Sequence, residues 1–250
     1  MKIRFGSKWP SAGAAIAVVL VLAALCGCGG GGIGEPSGSP IMTPGTYTGN
    51  EFWTSGTLQG QVYSIVAIVA SGNRLALSEN PGPSNHYTGF AVTPSLDSNG
   101  RFTVGVAQGN FVGVIVPAAT ITGVNAPSAV PQVTGTMTQQ GVGTASWSLT
   151  LQQGSGNPYA GWYAGSMSAP ASTPITAVVG PDGTLVAVEG GQGVNIFCAV
   201  GTVSATTGAI SFTGTNPGMT LTGTVHAGGT ASGTYNFYGV GSGSWTATRQ

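Results

Sequence analysis

Few side chains in this 250-residue sequence could carry acid–base or metal chemistry, because charged residues make up only 5% of it. General acid–base catalysis needs two or three titratable groups that converge on one point. Beyond the first ten residues the charged residues stand far apart in the sequence; they are Glu35, Glu51, Arg74, Glu79, Asp97, Arg101, Asp182, Glu189 and Arg249. We therefore predict no catalytic residue, no cofactor and no enzymatic activity.

Glu79 and Glu189 are the best candidates for a binding site. Each ends an apolar run that is typical of a strand, and each is followed by a stretch rich in glycine or proline. They also occupy equivalent positions in two similar segments, residues 64–79 and 174–189. Two carboxylates so placed could line the same rim in two related modules and bind a cation or a polar ligand. The alternative is a solvated carboxylate at the end of each strand.

The other residues with chemical potential favour structural roles. Asp97 and Asp182 lie in turn sequences, where aspartate hydrogen-bonds to its own backbone. His86 and His226 lack the spacing of metal ligands and have no cysteine or carboxylate partner nearby in the sequence, so we predict no metal site. Cys198 lies in the apolar run VNIFCAV and is predicted to be a buried, unreactive thiol.

The sequence lacks the G-x-S-x-G, H-E-x-x-H and G-x-x-x-x-G-K-[ST] motifs of hydrolases, metalloproteases and phosphate-binding loops. A hydrolase therefore stays a less favoured alternative, which would need Glu, Asp or His residues clustered in a cleft. Beyond the first ten residues the sequence has three arginines and no lysine, which is too few for a basic, phosphate-binding surface. We predict no nucleic-acid partner.

Aromatic residues concentrate in three segments, GNEFW (49–53), NPYAGWYAG (157–165) and YNFYG (235–239). Exposed tyrosine and tryptophan rings would form a face that stacks on sugars or binds a protein, because a flat apolar ring carries a polar edge. In a small barrel the same rings would fill the interior. We favour the second interpretation.

Two long stretches of the sequence occur twice. TGTMTQQGVGTASWSLT (134–150) matches SGTYNFYGVGSGSWTAT (232–248) without a gap, 98 residues further on. Residues 64–79 match residues 174–189 at an offset of 110. Because the order of the matching blocks is the same in both halves, the sequence indicates two tandem copies of one module.

The module boundaries are predicted at residues 44–153 and 157–250, with Tyr47 at the start of the first copy aligned with Tyr159 in the second. Apolar residues alternate with serine and threonine in both copies, as in TASWSLTL and SWTAT, which is typical of half-buried antiparallel strands. Glycine, asparagine, aspartate and proline mark the turns between them. We predict an all-β fold of two homologous antiparallel meander modules, each a small β-barrel or β-sandwich.

The repeated stretch is predicted to be the closing hairpin of each module, with its Gly-Val-Gly sequence near the turn. Trp147 and Trp245 occupy equivalent positions in it and fall on the apolar side of the alternation. We expect both to be large side chains of the core.

The N-terminus has the order of a secretory signal peptide. Three cations, Lys2, Arg4 and Lys8, precede an apolar run over residues 12–25, and small residues and cysteine follow. The run is short for a membrane-spanning helix. We predict that residues 1–27 are a signal peptide and take no part in the fold.

The end of this segment, Leu25-Cys26-Gly27-Cys28, resembles the bacterial lipobox. It has an aliphatic residue three before the cysteine and a small residue directly before it. The resemblance covers about the first 28 residues and implies that Cys28 becomes the acylated first residue of the mature protein. Two or more acyl chains would hold the protein stably on a membrane. The alternative is ordinary signal cleavage, with Cys28 an incidental thiol.

Residues 28–43 are predicted to form a flexible tether, because they are rich in Gly, Ser and Pro and have little apolar surface to bury. Gly29 follows the cysteine where an aspartate would retain a lipoprotein at the inner membrane in the sorting pattern of enteric-type bacteria. The resemblance to such lipoproteins thus implies the outer membrane.

The expected function follows from the predicted N-terminal export signal and the predicted pair of β modules together. We predict a lipid-anchored protein of the bacterial envelope with a structural or recognition role and a protein or glycan partner. The pair of β modules resembles two-lobed β-barrel surface lipoproteins at the level of architecture. The alternative is a carrier that holds a small apolar ligand inside a β-barrel.

Overall fold

Strands are the dominant element of the described protein. The structure is a computed structural model, and it describes residues 42–79, 91–106, 109–111, 114–116, 118–126, 129–152, 154, 156–189, 198–215, 219–237 and 241–250. One turn of 3-10 helix, Ser71–Asn73, is the only helix in these ranges. No helix in the described ranges has the length and apolarity to cross a membrane. The predicted all-β fold of two tandem antiparallel modules is confirmed.

Module 1 (residues 45–152) is an eight-stranded antiparallel sheet with an added hairpin. The sheet has the order β4-β3-β2-β1-β10-β9-β8-β5, and β6 and β7 pair only with each other. The strands are β1 (Gly45–Gly56), β2 (Val62–Ala70), β3 (Arg74–Glu79), β4 (Ala91–Val92), β5 (Arg101–Val106), β6 (Gly109–Phe111), β7 (Val114–Val116), β8 (Ala119–Ala126), β9 (Gln132–Gln139) and β10 (Gly143–Gln152).

Module 2 (residues 161–249) is a closed barrel of eight strands in simple meander order, with β11 and β18 paired to close it. The strands are β11 (Gly161–Met167), β12 (Pro174–Val179), β13 (Thr184–Glu189), β14 (Cys198–Val203), β15 (Ala209–Thr215), β16 (Met219–Val225), β17 (Thr230–Phe237) and β18 (Gly241–Arg249). Closure removes the unpaired strand edges on which aggregation depends.

The two modules share one strand plan and differ at one seam. β1 pairs with β10 as β11 pairs with β18, and the remaining strands follow in the same order. β14 and β15 pair through five residue positions, whereas no pairing between β4 and β5 occurs among the described residues. The hairpin β6–β7 is inserted between β5 and β8, where module 2 connects β15 to β16 directly. Over the described residues, module 1 is therefore the same meander without the pairing that closes module 2.

The strand registers support the alignment of the two copies. Trp147 lies opposite Gly135 and Trp245 opposite Gly233. The register corrects the alignment of Tyr47. Its counterpart is Tyr163 and not Tyr159, because each of these two tyrosines lies two residues into its strand and donates a 2.8 Å hydrogen bond to the carbonyl four residues earlier. Tyr159 supplies the accepting carbonyl in module 2.

A tryptophan fills the same part of each interior. Trp147 and Trp245 are 3% and 6% exposed. The ring of Trp147 lies against Gly123 and Gly135, and a Cβ atom at either glycine would overlap it. Trp245 lies against Gly223 in the same way. These glycines leave the space that an indole needs inside a narrow barrel.

The outer faces of equivalent strands join the two modules. Val66, Ile68 and Ala76 of β2 and β3 form one buried cluster with module 2 residues of β12, β13 and β14; the latter are Val178, Val186, Val188 and Val200. The guanidinium of Arg74 lies 5.2 Å from the Trp162 ring centroid at the side of this cluster. Strands buried on both faces read as continuous apolar runs, which is why the sequences IVAIVA and LVAV lack alternation.

Truncation of either core tryptophan should destabilise the protein. Trp147→Ala and Trp245→Ala are each expected to lower the free energy of unfolding by about 3–5 kcal/mol, because each leaves a large cavity. Urea denaturation followed by circular dichroism measures this. Phe52→Ala is the control, since Phe52 is 48% exposed. A Trp147→Ala variant as stable as the parent would contradict the placement.

A charge in the contact between modules should be more damaging than one on the surface. Val186 is fully buried there, and Val186→Asp is expected to cost at least about 3 kcal/mol. The change removes apolar burial worth about 1.5–3 kcal/mol and desolvates an unpaired carboxylate. The matched control is Val62→Asp, at a position 55% exposed. Equal melting temperatures for the two variants would argue against the contact.

Candidate functional site

A buried carboxyl on β1 is the centre of the candidate site. Alternation along β1 puts Tyr47, Glu51 and Trp53 on the inner face of module 1, and all three are 0% exposed. Glu51 lies opposite Tyr63 of β2 on one side and Trp147 of β10 on the other. A carboxyl therefore stands in the row of side chains that fills the interior.

Glu79 is the second carboxyl of this interior. It is the last residue of β3, lies opposite Ile65 and is 1% exposed. Its place at a strand end agrees with the sequence pattern, but it is neither a solvated carboxylate nor a residue of an open rim. Glu189 occupies the same register position of β13, opposite Ile175, and its side chain lies outside the described residues. The two glutamates belong to different modules.

Burial shifts the titration of both interior carboxyls, which we call the carboxyl pair (Glu51 and Glu79). Desolvation raises the pKa of Glu51 from 4.5 to about 7, and the nearby Trp53 indole offsets part of the shift. Desolvation and then the negative charge of Glu51 raise the pKa of Glu79 well above its ordinary value. The pKa of the Tyr63 hydroxyl is raised by burial, by Glu79 and by Glu51. The ionisation of each of these three groups therefore affects the ionisation of the others.

The three arginines that the structure describes do not neutralise the carboxyl pair. Arg74 lies over Trp162 and donates to the Ser71 carbonyl, outside the module interior. Arg249 donates to the Tyr163 hydroxyl in module 2, and Arg101 is exposed at the start of β5. Within the described residues, both carboxyl oxygens of Glu51 and Oε2 of Glu79 are buried without a hydrogen-bond partner. An unpaired buried carboxylate is costly, so this environment favours the protonated form.

Module 2 shows that the fold does not need an acid at this position. Trp147 lies opposite Glu51 in module 1, and its equivalent Trp245 lies opposite Met167 in module 2. Met167 is 5% exposed and belongs to the apolar core. A thioether thus fills the space that Glu51 occupies in the other copy.

The carboxyl pair lies toward one end of module 1. β3 ends at Glu79, β2 begins at Val62 beside Tyr63, and β1 runs from Glu51 to Gly56 in the same direction. β5 also ends at this end of the module, at Val106, and β8 begins there at Ala119, so we call it the loop end. Ligand sites in barrels are common at such mouths.

Sequence reasoning missed Glu51. The signal was present in the alternation Tyr47, Gly49, Glu51, Trp53, which puts the glutamate on the face of two large aromatic residues. A single acidic residue in a strand ordinarily faces solvent. The alternation therefore did not identify Glu51 as a buried residue until the structure showed that Trp53, on the same face, is buried.

The other predicted chemical residues do not join this site. Asp97 accepts from the backbone N–H groups of Asn99 and Arg101 at 2.8 and 2.9 Å, and these bonds lower its pKa. Asp182 accepts from the Thr184 N–H and from Thr46 Oγ1 at 3.0 and 2.5 Å. Both aspartates order turns, as predicted.

Several predictions fall on parts of the chain where the structure gives no side-chain description. The side chain of Cys198, opposite Val188 in β14, is outside the described set, as are His86 and Cys28. His226 Nε2 lies 3.2 Å from Ser232 Oγ on the surface. Across the described ranges, no group of three or more His, Cys, Asp or Glu residues is arranged to hold a metal ion.

Most of the aromatic residues singled out in the sequence are core residues. Trp53, Tyr163 and Tyr235 are at most 2% exposed. Tyr235 donates to the Ser168 carbonyl at 2.8 Å and packs on Phe237, with ring centroids 4.6 Å apart. Tyr159 and Trp162 are partly buried, and Phe52 faces solvent.

The barrel of module 2 encloses a small apolar cavity of about 40 Å³. Tyr163, Met167, Phe212 and Trp245 line it together with aliphatic residues of β12, β13, β15, β16 and β17. Pockets for drug-sized ligands measure about 300–1,000 Å³. The side chains that the structure describes therefore fill most of this interior.

No protein-family model matches the chain, and no curated protein matches it. Several solved structures have distant similarity, and three of them are described here. A Bacteroides fragilis protein provisionally described as an outer membrane protein is 12% identical, covering 83% of this chain and 97% of its own, with a TM-score of 0.28. A Nostoc punctiforme protein of unknown function is 11% identical, covering 83% and 96%, with a TM-score of 0.27. Transferrin binding protein B of Haemophilus parasuis is 9% identical, covering 84% and 77%, with a TM-score of 0.27. Similarity at this level assigns neither a fold family nor a function.

Proposed function

We propose that this protein is an exported, lipid-anchored protein of the bacterial cell envelope whose paired β modules have a structural or recognition role. The observation that carries the proposal is the order of the N-terminal sequence: cations, an apolar run, and a lipobox-like ending at Cys28. A Gly/Ser/Pro segment then separates Cys28 from β1, which begins at Gly45. Gly29 supports placement in the outer membrane.

The proposal includes no catalytic role. Glu51 and Glu79 are the titratable groups that the fold brings together, and they are at most 1% exposed. A general acid or base has to reach the proton of a bound substrate. Carboxyls enclosed in a core do not meet that requirement.

The outer faces of the modules support recognition by neutral hydrogen-bonding groups. Exposed hydroxyls face one another across neighbouring strands, with Thr122 and Thr136 Oγ1 atoms 2.9 Å apart in module 1 and those of Thr222 and Thr234 2.8 Å apart in module 2. Serine and threonine dominate these faces, and charged residues are sparse. Such a surface suits a glycan or protein partner better than a polyanion.

Lipidation is tested by a single change at Cys28. In a Gram-negative host, Cys28→Ser should abolish incorporation of radiolabelled palmitate and move the protein from the membrane to the soluble fraction, because the acceptor thiol is lost. Cys26→Ser is the matched control and should keep both label and location. Membrane retention of Cys28→Ser at the level of the parent would refute the anchor.

The cavity of module 2 argues against the carrier alternative. At about 40 Å³ it is far below the volume that a small apolar ligand needs. An apolar fluorescent probe, N-phenyl-1-naphthylamine, should therefore give no saturable signal with the folded protein. The Trp245→Ala variant, which vacates an indole volume, is the positive comparison. Saturable binding of the probe to the parent protein at micromolar concentration would contradict this expectation and favour the carrier function.

A further inference from the structure

Two apolar side chains on the outer face of module 1 lie opposite each other and are exposed to solvent. Phe52 of β1 pairs with Val62 of β2, and the two side chains are 48% and 55% exposed. Phe52 belongs to the segment GNEFW, one of the three segments in which aromatic residues concentrate. We call Phe52 and Val62 the apolar pair.

Module 2 has serine at both equivalent positions. In the register of the two modules, Phe52 corresponds to Ser168 and Val62 to Ser172. The two serines also face each other, and the Ser172 N–H donates to the Ser168 carbonyl at 3.0 Å. The strand plan therefore does not require apolar side chains here. Apolar surface that stays exposed also brings no hydrophobic gain on folding.

A row of hydroxyls continues from the apolar pair across the sheet. Phe52 lies opposite Ser146 of β10, and Ser146 lies opposite Thr136 of β9. Thr136 lies opposite Thr122 of β8, and Thr122 lies opposite Thr103 of β5. All four hydroxyl side chains are exposed or partly exposed. Neighbouring strands are about 4.8 Å apart, so the row extends over a distance on the order of 20–25 Å.

The face around this row has almost no charge. In the sequences of β1, β2, β8, β9 and β10 the one charged residue is Glu51, and its side chain lies on the inner face. Arg101 is exposed beside Thr103, at the far end of the row. A polyanion needs several cationic contacts, whereas a neutral ligand needs none.

A sugar fits this face better than a protein or a membrane does. A stable protein interface buries about 800 Å² on each partner around an apolar centre, and the apolar pair is only two side chains among hydroxyls. Binding to a membrane surface relies on lysine and arginine beside large apolar residues, and β1, β2 and β10 contain neither cation. A sugar ring has an apolar face that packs on an aromatic ring, and its hydroxyls match the donors and acceptors of serine and threonine.

We propose that the outer face of module 1 binds a neutral glycan chain, in which one sugar ring packs on the apolar pair and the next sugars hydrogen-bond to Ser146, Thr136 and Thr122. This inference rests on the recognition role proposed above and gives that role a site and a ligand class. Module 2 has the equivalent hydroxyls but lacks the aromatic ring, so it is the internal control.

Binding is tested with the full-length protein in lauryldimethylamine oxide, a detergent without a sugar headgroup. Isothermal titration calorimetry uses cellohexaose, laminarihexaose and mannohexaose as neutral probes and polygalacturonate as the anionic probe. We expect saturable binding of at least one neutral hexasaccharide, with an affinity that changes little between about 50 and 500 mM NaCl because the face is uncharged. Binding of the anionic probe alone, or of none of the four, would overturn the proposal.

Variants connect the binding to the apolar pair and the hydroxyl row. Phe52→Ser with Val62→Ser installs the module 2 residues and should lower the affinity at least about tenfold, because the packing surface for the sugar ring is lost. Ser146→Ala should lower it severalfold. The matched controls are Val130→Ser, at another exposed valine, and Ser244→Ala, the module 2 equivalent of Ser146. Both controls should bind as the parent does. All these positions are exposed, so circular dichroism should show unchanged folding.

Unchanged affinity in the double serine variant, or an equal loss in the controls, contradicts the proposed site. So does self-association of the parent, or binding of the Cys28→Ser protein to phosphatidylcholine vesicles, if the double serine variant abolishes it; the face would then belong to a second copy or to a lipid surface. Palmitate labelling of Cys28 does not depend on any of these outcomes. The glycan site and the lipid-anchored function are therefore tested separately.

Discussion

A β module of this size is stable only when side chains fill its interior, and in both modules a tryptophan at the equivalent position is a large part of that core. Trp147 rests on Gly123 and Gly135, and Trp245 rests on Gly223. The indole is large enough to reach across several strands, and the glycines remove the Cβ atoms that would block it. Strand order, register and closure all bring these residues together, so the rest of each module depends on this contact.

The second constraint is the burial of β2, β3, β12, β13 and β14 on two sides. Their inner faces line the module interiors, and their outer faces meet in the cluster that includes Val66, Val178 and Val186. Among the described residues, apolar association of this kind joins the modules, and the Thr46–Asp182 hydrogen bond adds to it. Equivalent strands of the two copies form the contact.

The copies have the same plan and different interiors. Module 2 is closed, and a small apolar cavity remains in it. Among the described residues, module 1 lacks the pairing that closes module 2, and it has an inserted hairpin and two enclosed carboxyls, with Glu51 where module 2 has Met167. Because the strand plan is common to both, these differences are additions to the fold and not conditions for it.

Local periodicity was enough to predict the strands, the duplication, the buried tryptophans and the equivalent positions of Glu79 and Glu189, because alternation and repeated order are properties of neighbouring residues. The N-terminal signal and the acylation of Cys28 are likewise predictions from local sequence, in a part of the chain that the structure does not describe. Tertiary structure alone decided that Glu51 and Glu79 lie inside, that Tyr47 corresponds to Tyr163, and that the modules pack through their outer faces. Those outcomes depend on contacts between residues far apart in the sequence. The face of a strand can meet water, its own module interior or the other module, and what packs against it decides which. The two-residue alternation of side chains along the strand is the same in all three cases, so the sequence pattern does not distinguish them.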